Sequence, residues 1–259
     1  MNVDWRFALA FAIALSIGAG IAIAIEELVW MRRRGRLTRA AVREMLMSLS
    51  SLPPNIVVSV ALSGWWVLVY SFASDFAFMR VETSLLALPP AVLLADLCYY
   101  VEHRAAHRVG LLWRLYHAVH HSSPDYTVAT AYRVSFLNQL VAPVFYVPCV
   151  LAGFEPVLVL ALQVFTIHYQ AWVHTRAIGR LPLADAFLNT PANHRMHHDA
   201  AMSARGVNFG GILVIWDRLF GSYAAPRRVR AFGIAGSPPP ARWRELYTAP
   251  FARTASRRD

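Results

Sequence analysis

Three short stretches of the chain read HRAAH, HAVHH and HRMHH. They hold eight of its ten histidines: His103 and His107; His117, His120 and His121; His194, His197 and His198. On a helix, residues three or four apart lie within about 60° of one another, so each stretch is expected to turn its imidazoles to one side. Crowded imidazoles repel one another when protonated and lose solvation when buried. A metal ion relieves both penalties, and the spacing predicts metal binding. A structural zinc takes four ligands and a catalytic zinc three, so eight or nine histidines suit two ions with open positions. Zincin-type proteolysis needs Glu after the first histidine of HExxH, and HRAAH has none. Haem uses paired axial ligands, which does not explain clusters. An all-imidazole set favours borderline metals with redox use, iron first, and a two-iron, oxygen-activating site is the preferred reading.

The elements that must position these clusters are apolar. The 259 residues are 57% hydrophobic and 15% charged, with a mean hydropathy of +0.40, outside the usual range of a soluble domain. Phe7 to Ile25 is uncharged and nearly long enough for a hydrocarbon core of ~30 Å. Its basic residues follow the apolar run instead of preceding it, so it is expected to be a retained helix and not a signal peptide. Further apolar runs cover about Asn55 to Ser74, about Ser84 to Tyr100, and Phe136 to Val173. The last breaks at Gly153-Phe154-Glu155-Pro156, which predicts a tight helical hairpin.

The expected fold is therefore all-α: an integral membrane helical bundle of about four spans, or three spans plus the hairpin, with a histidine-rich helical cap. Arg32, Arg33, Arg34, Arg36, Arg39 and Arg43 cluster after the first run, and eight more arginines follow from Arg227 onward. Such clusters set topology by the positive-inside rule, so nucleic-acid binding is not expected. They place the cap in the cytoplasm, most simply beneath a bacterial inner membrane, and leave the Asp75 to Glu82 link on the far side. One membrane domain is expected over 1–225, with 226–259 a basic, mobile tail. Cys98 and Cys149 form no metal-type spacing and indicate neither a disulfide framework nor a thiolate site.

With these residues in place, the sequence resembles the fatty acid hydroxylase and sterol desaturase superfamily, integral membrane di-iron enzymes whose signature is HxxxH, HxxHH and HxxHH in this order. DLCYYVEHRAAHRVGLLWRLYHAVHHSSPDYTVATAYR is similar to the first block of that family and NTPANHRMHHDAAMSARGVNFGGILVIWDRLFGSY to its last. The resemblance covers about 96–223. It implies that the eight clustered histidines are iron ligands and that His174, in IHYQAWVHTRAIGRLP, is a ninth. His168, about 240° around a helix from His174, is a possible ligand only if that helix breaks. Asp96, inside an apolar run, is a functional candidate by default, either accepting the other ring N–H of a ligand or pairing with an arginine. Asn208 and Asp217 match the closing motif and, with Asn193 and Arg133, are expected to support the ligands. Thr190 or Asn193 is expected to cap the helix carrying the last cluster, with Pro191 in its first turn.

The resemblance implies a membrane monooxygenase that uses two iron ions and O2 to attack an unactivated C–H bond of a fatty acyl, sterol or related lipid. Hydroxylation is favoured; desaturation, or cleavage of an ether lipid, would use the same site. QAWVHTRAIG and LNTPANHRMHH look most like the alkylglycerol monooxygenase branch, which uses a tetrahydropterin reductant, although Arg108 stands where that branch has Glu. Reducing equivalents are expected from outside, through a separate carrier such as a ferredoxin or a soluble reductant. The alternative of another class is a histidine-rich membrane metal-binding or transport protein. That reading predicts ionisable residues along the spans, whereas here the histidines gather after them.

Overall fold

A computed structural model describes residues 5–202 and 206–252; the last seven residues of the basic tail, 253–259, lie outside it. Among the described residues the chain is helical, with two isolated bridges, Leu188 to Leu213 and Asp199 to Phe232, as its only β-type pairing. In chain order the helices are α1 (Trp5–Arg33), α2 (Arg39–Leu49), α3 (Leu52–Ala61), α4 (Ser63–Ser74) and α5 (Leu88–Arg108). Then come a short α6 (Gly110–Leu112), a π-helical turn (Trp113–His117), α7 (Ala118–His121) and a 3-10 turn (Val128–Tyr132). The chain continues through α8 (Asn138–Leu151), α9 (Pro156–Val173), α10 (Pro182–Phe187), α11 (Pro191–His197), α12 (Ile215–Leu219) and α13 (Trp243–Ala252).

Two helices, α1 and α9, are long and apolar enough to cross a membrane, and the bent run from α2 through α4 makes a third if it counts as one span. Phe7, Phe11, Leu15, Ile21 and Ile25 on α1 stay exposed, as a helix that faces lipid requires. The apolar run from Asn55 to Ser74, read from sequence as one segment, is instead bent by 50° between α3 and α4. The bend falls at Leu62, just before Ser63-Gly64, and the Ser63 hydroxyl donates back across it to the Val60 carbonyl (2.8 Å), a recurrent cause of kinks. The predicted hairpin forms as α8 and α9. Gly153 takes φ +95° in its turn, and a Cβ there would strike the Met79 carbonyl, so this position needs glycine.

α1 packs along α9, and α8 packs between α4 and α5. The core between them holds Tyr70, Ala91, Ala95, Tyr146, Val150, Leu158 and Leu162. Cys98 and Cys149 meet in it as free thiols, 3.6 Å apart. α5 begins on Pro89 and Pro90, where missing N–H groups cost nothing. It runs without interruption from the apolar core into HRAAH, so one rigid helix carries the first cluster out of the bundle. In the segment 226–259, α13 packs against α7 and the π-helical turn. Leu246 is fully buried, and Tyr247 donates to Ser51 (3.3 Å).

Candidate metal centre

The three clusters, 95 residues apart at their extremes in sequence, come together at the C-terminal ends of α5 and α9, where their ring nitrogens form two groups. His103, His107, His117, His121 and His197 make the first; His120, His174, His194 and His198 make the second; each could hold a metal ion. The clusters therefore do not each face one way, as their spacing suggested. In HAVHH, His117 and His121 turn to the first group and His120 to the second; in HRMHH, His194 and His198 turn to the second and His197 to the first. Four-residue pairs share a face, and the odd histidine of each triplet crosses to the other site. A π-helical turn, a distortion frequent at functional sites, ends on His117.

Backbone acceptors fix several rings. His103 Nδ1 pairs with the Phe209 carbonyl (2.9 Å), His174 Nδ1 with Gln170 (2.6 Å) and His197 Nδ1 with Val207 (2.8 Å). A carbonyl only accepts, so these bonds assign the ring proton to Nδ1 and leave Nε2 a lone pair. Those Nε2 atoms converge. His117 Nε2 lies 3.1 Å from that of His103, 2.9 Å from that of His107 and 3.1 Å from that of His121. His174 Nε2 lies 3.1 Å from that of His120 and 3.0 Å from that of His194. Neighbouring ligands of one ion, each bound at ~2.1 Å, stand about this far apart. The Nε2 atoms of His197 and His198 are buried with no hydrogen-bond partner. Ring nitrogens this close together, three of them fixed as lone pairs and two more buried without a partner, fit a bound cation, so the residues present fit the metal their types implied. Burial holds His120 down to about 4, and burial with neighbouring imidazoles holds His121, His194, His197 and His198 well below the usual 6.5. The rings are thus in the neutral form that binds metal.

Of the remaining expected site residues, His168 joins neither group; its Nδ1 pairs with the Val164 carbonyl (2.7 Å) one turn back on α9. α9 continues unbroken to Val173, so the two positions point apart. Among the described residues Asp96 pairs with no histidine and no arginine. Its carboxylate accepts from the Ile212 N–H (2.7 Å), the Leu213 N–H (3.1 Å) and the Trp216 indole (3.0 Å). Asp217 accepts from the Phe209 and Gly210 N–H groups (both 2.8 Å) and from Ser222 (2.7 Å). Both carboxylates thereby hold the 209–213 loop, whose Phe209 carbonyl orients His103. Asn208, at φ +53°, donates to the Asn193 carbonyl (3.0 Å) and the Ala224 carbonyl (2.9 Å). Asn193 donates to the Asp185 and Leu188 carbonyls (both 2.9 Å). Thr190, not Asn193, caps α11, accepting from the Asn193 N–H (3.4 Å), with Pro191 opening the helix. Arg133 is fully buried and pairs with Glu44. Arg108 lies exposed past His107.

Sequence reading missed four supports. Three are backbone carbonyls, which residue type does not reveal. The fourth is Glu27, a buried carboxylate on α1 that accepts from Thr175 (2.7 Å), the Val128 N–H (2.7 Å) and the Arg176 N–H (3.3 Å). It ties α1 to the turn that follows His174; lying just past the uncharged Phe7 to Ile25 run and beside Glu26, it carried no mark of that role in the sequence. Tyr126 closes the second group, stacked on His174 at 5.5 Å and beside His198 at 5.0 Å, its hydroxyl donating to the Val173 carbonyl (2.9 Å).

A helical membrane bundle that ends in two sets of converging imidazoles defines the class, and the chain belongs to the fatty acid hydroxylase family, whose sequence pattern matches residues 88–222. Among characterised proteins it is similar to human alkylglycerol monooxygenase, 35% identical over 201 residues, which are 77% of this chain and 44% of that protein. The zebrafish (Danio rerio) alkylglycerol monooxygenase is 35% identical over 212 residues, 79% of this chain and 46% of the relative. The ornithine lipid hydroxylase OlsE of Rhizobium tropici is 31% identical over 148 residues, 56% of this chain and 44% of that one. The chain spans a little under half the length of these relatives. No solved structure matches it.

Proposed function

We propose that this chain is an O2-dependent membrane monooxygenase that hydroxylates a C–H bond of a fatty acyl, sterol or related lipid. Two iron ions would be held by His103, His107, His117, His121 and His197 and by His120, His174, His194 and His198. The observation that carries this reading is the convergence of imidazole ring nitrogens in two groups at the end of membrane-type helices. Iron in such a cage supplies O2 activation and hydrogen removal from an unactivated carbon. The chain's own residues do the rest. Phe209, Gln170 and Val207 carbonyls fix the ring protons on Nδ1, Asp96 and Asp217 hold the 209–213 loop in register, and Tyr126 and Phe209 cover the rings against water.

The same reading takes the chain to be an integral protein of a bacterial inner membrane, with α1, the bent α2–α4 run, α5 and the α8–α9 hairpin in the bilayer and the cage on the cytoplasmic side. Electrons would come from a separate donor, a ferredoxin-like carrier or a soluble reductant. A second outcome of the same chemistry, cleavage of an ether lipid, is favoured by the similarity to alkylglycerol monooxygenases. Comparison of lipids from cells with and without the protein tests both: a product gaining one oxygen marks hydroxylation, loss of two hydrogens desaturation, and loss of ether lipid with release of an aldehyde ether cleavage. Purified protein with about one metal per chain, no iron, and no O2 consumption with any lipid extract would overturn the enzyme reading in favour of a metal-binding or transport role.

A further inference from the structure

A second feature stands apart from the cage. At the end of α1, on the same side of the bundle as the histidines, a cavity of about 250 Å³ is lined by Glu27, Trp30, Arg36, Asp125, Tyr126 and Arg176, among others. Neither Arg36 nor Arg176 has a carboxylate within ion-pair distance among the described residues. Each instead lies over an aromatic face, Arg36 over Trp30 at 5.6 Å and Arg176 over Phe232 at 5.5 Å. Both guanidiniums line this partly enclosed space, and an anion with several oxygens could accept from each.

The cavity is not simply basic. Both oxygens of Glu27 are taken by protein donors, but the Asp125 carboxylate receives no hydrogen bond among the described residues; only its backbone carbonyl does. A bare anion would face that carboxylate, and a bare cation would face the two arginines. A group carrying both charges satisfies each. The cavity opens where a membrane-type helix ends, beside Trp30, a residue type that marks the lipid headgroup level.

We propose that this cavity binds the zwitterionic headgroup of a membrane lipid, its anionic group between Arg36 and Arg176 and its ammonium against Asp125. The Tyr126 ring separates the headgroup from His174 and His198, so the bound lipid stands beside the metal cage and not in it. The site is independent of which metal the histidines hold.

The test titrates the full-length, metal-loaded protein in detergent with short-chain phosphatidylethanolamine, short-chain phosphatidylglycerol and free phosphoethanolamine. Phosphatidylethanolamine is expected to bind about tenfold more tightly than phosphatidylglycerol, one charge-assisted contact being of that order. Arg36→Gln, an exposed side chain whose loss leaves the fold and metal content unchanged, should weaken phosphatidylethanolamine about tenfold. Asp125→Asn should remove the preference between the two lipids. Equal binding of the two lipids by the unaltered protein, or unchanged binding after Arg36→Gln, would overturn the site. Phosphoethanolamine binding as tightly as the lipid would assign the cavity to a soluble metabolite and overturn the lipid.

Discussion

His197 shows how much one ring carries. Its Nδ1 is held by the Val207 carbonyl, its Nε2 is buried without a partner, and it is the member of HRMHH that crosses to the first group. His197→Ala should abolish metal at that group, exceeding the ~10–100-fold loss that follows from removing a supporting partner, while the protein still inserts in membranes. Metal content of the purified variant measures this, and full occupancy would remove His197 from the ligand set. On α9, His174→Ala should cost metal and turnover, whereas His168→Ala should leave both near the level of the unaltered protein; the reverse order would show that the wrong end of the helix was chosen. Asp96→Asn replaces one acceptor oxygen by a donor facing N–H groups that need acceptors. A loss of about 1–3 kcal/mol in stability is expected, read as a lower unfolding midpoint, with a further drop in metal affinity as the loop that orients His103 loosens. The eight clustered histidines were legible as metal-binding candidates from residue type and spacing, and His174 from the family resemblance. The role of Asp96 was not, because a buried carboxylate has many possible donors and only the path of the 209–213 loop decides among them.

The elements convert spacing into convergence. α5 is a single rigid rod from Pro89 to Arg108, so the bundle core fixes His103 and His107 directly. α11, only seven residues long, cannot rely on propensity and is held by the Thr190 cap, Pro191 and the Asn193 amide. The 209–213 loop is the third device. Gly210 packs so closely that a Cβ would strike the Leu213 carbonyl and sit 3.0 Å from Asp217 Oδ2. Gly210→Ala is therefore expected to displace the loop, lower the unfolding midpoint and reduce metal content together. A variant with unchanged metal content would show that the loop does not position His103. The bend between α3 and α4 escaped sequence reading for a related reason: Ser63 and Gly64 sit comfortably in an apolar run, and only the bond to the Val60 carbonyl reveals that the helix turns there.

At the scale of the molecule, the apolar bundle and the histidine-bearing cap are joined by side chains distant in sequence. Glu27 links α1 to the turn after His174, Arg133 links the 3-10 turn to Glu44 on α2, and Leu246 on α13 is fully buried. Leu246→Ala should cost about 2–5 kcal/mol, seen as a lower thermal midpoint in detergent. An unchanged midpoint would show that α13 does not contribute to the folded unit.

Composition and pattern by themselves determined that this is a helical membrane protein with a hairpin at Gly153 and a histidine cage built from three clusters. Hydrophobic run length and imidazole spacing are local properties, written along the chain. Only the tertiary structure decided how the ring nitrogens divide, with His120 and His197 crossing between groups, and which carbonyls hold the rings. These follow from where helices far apart in sequence end relative to one another, and a backbone carbonyl leaves no mark in the residue alphabet.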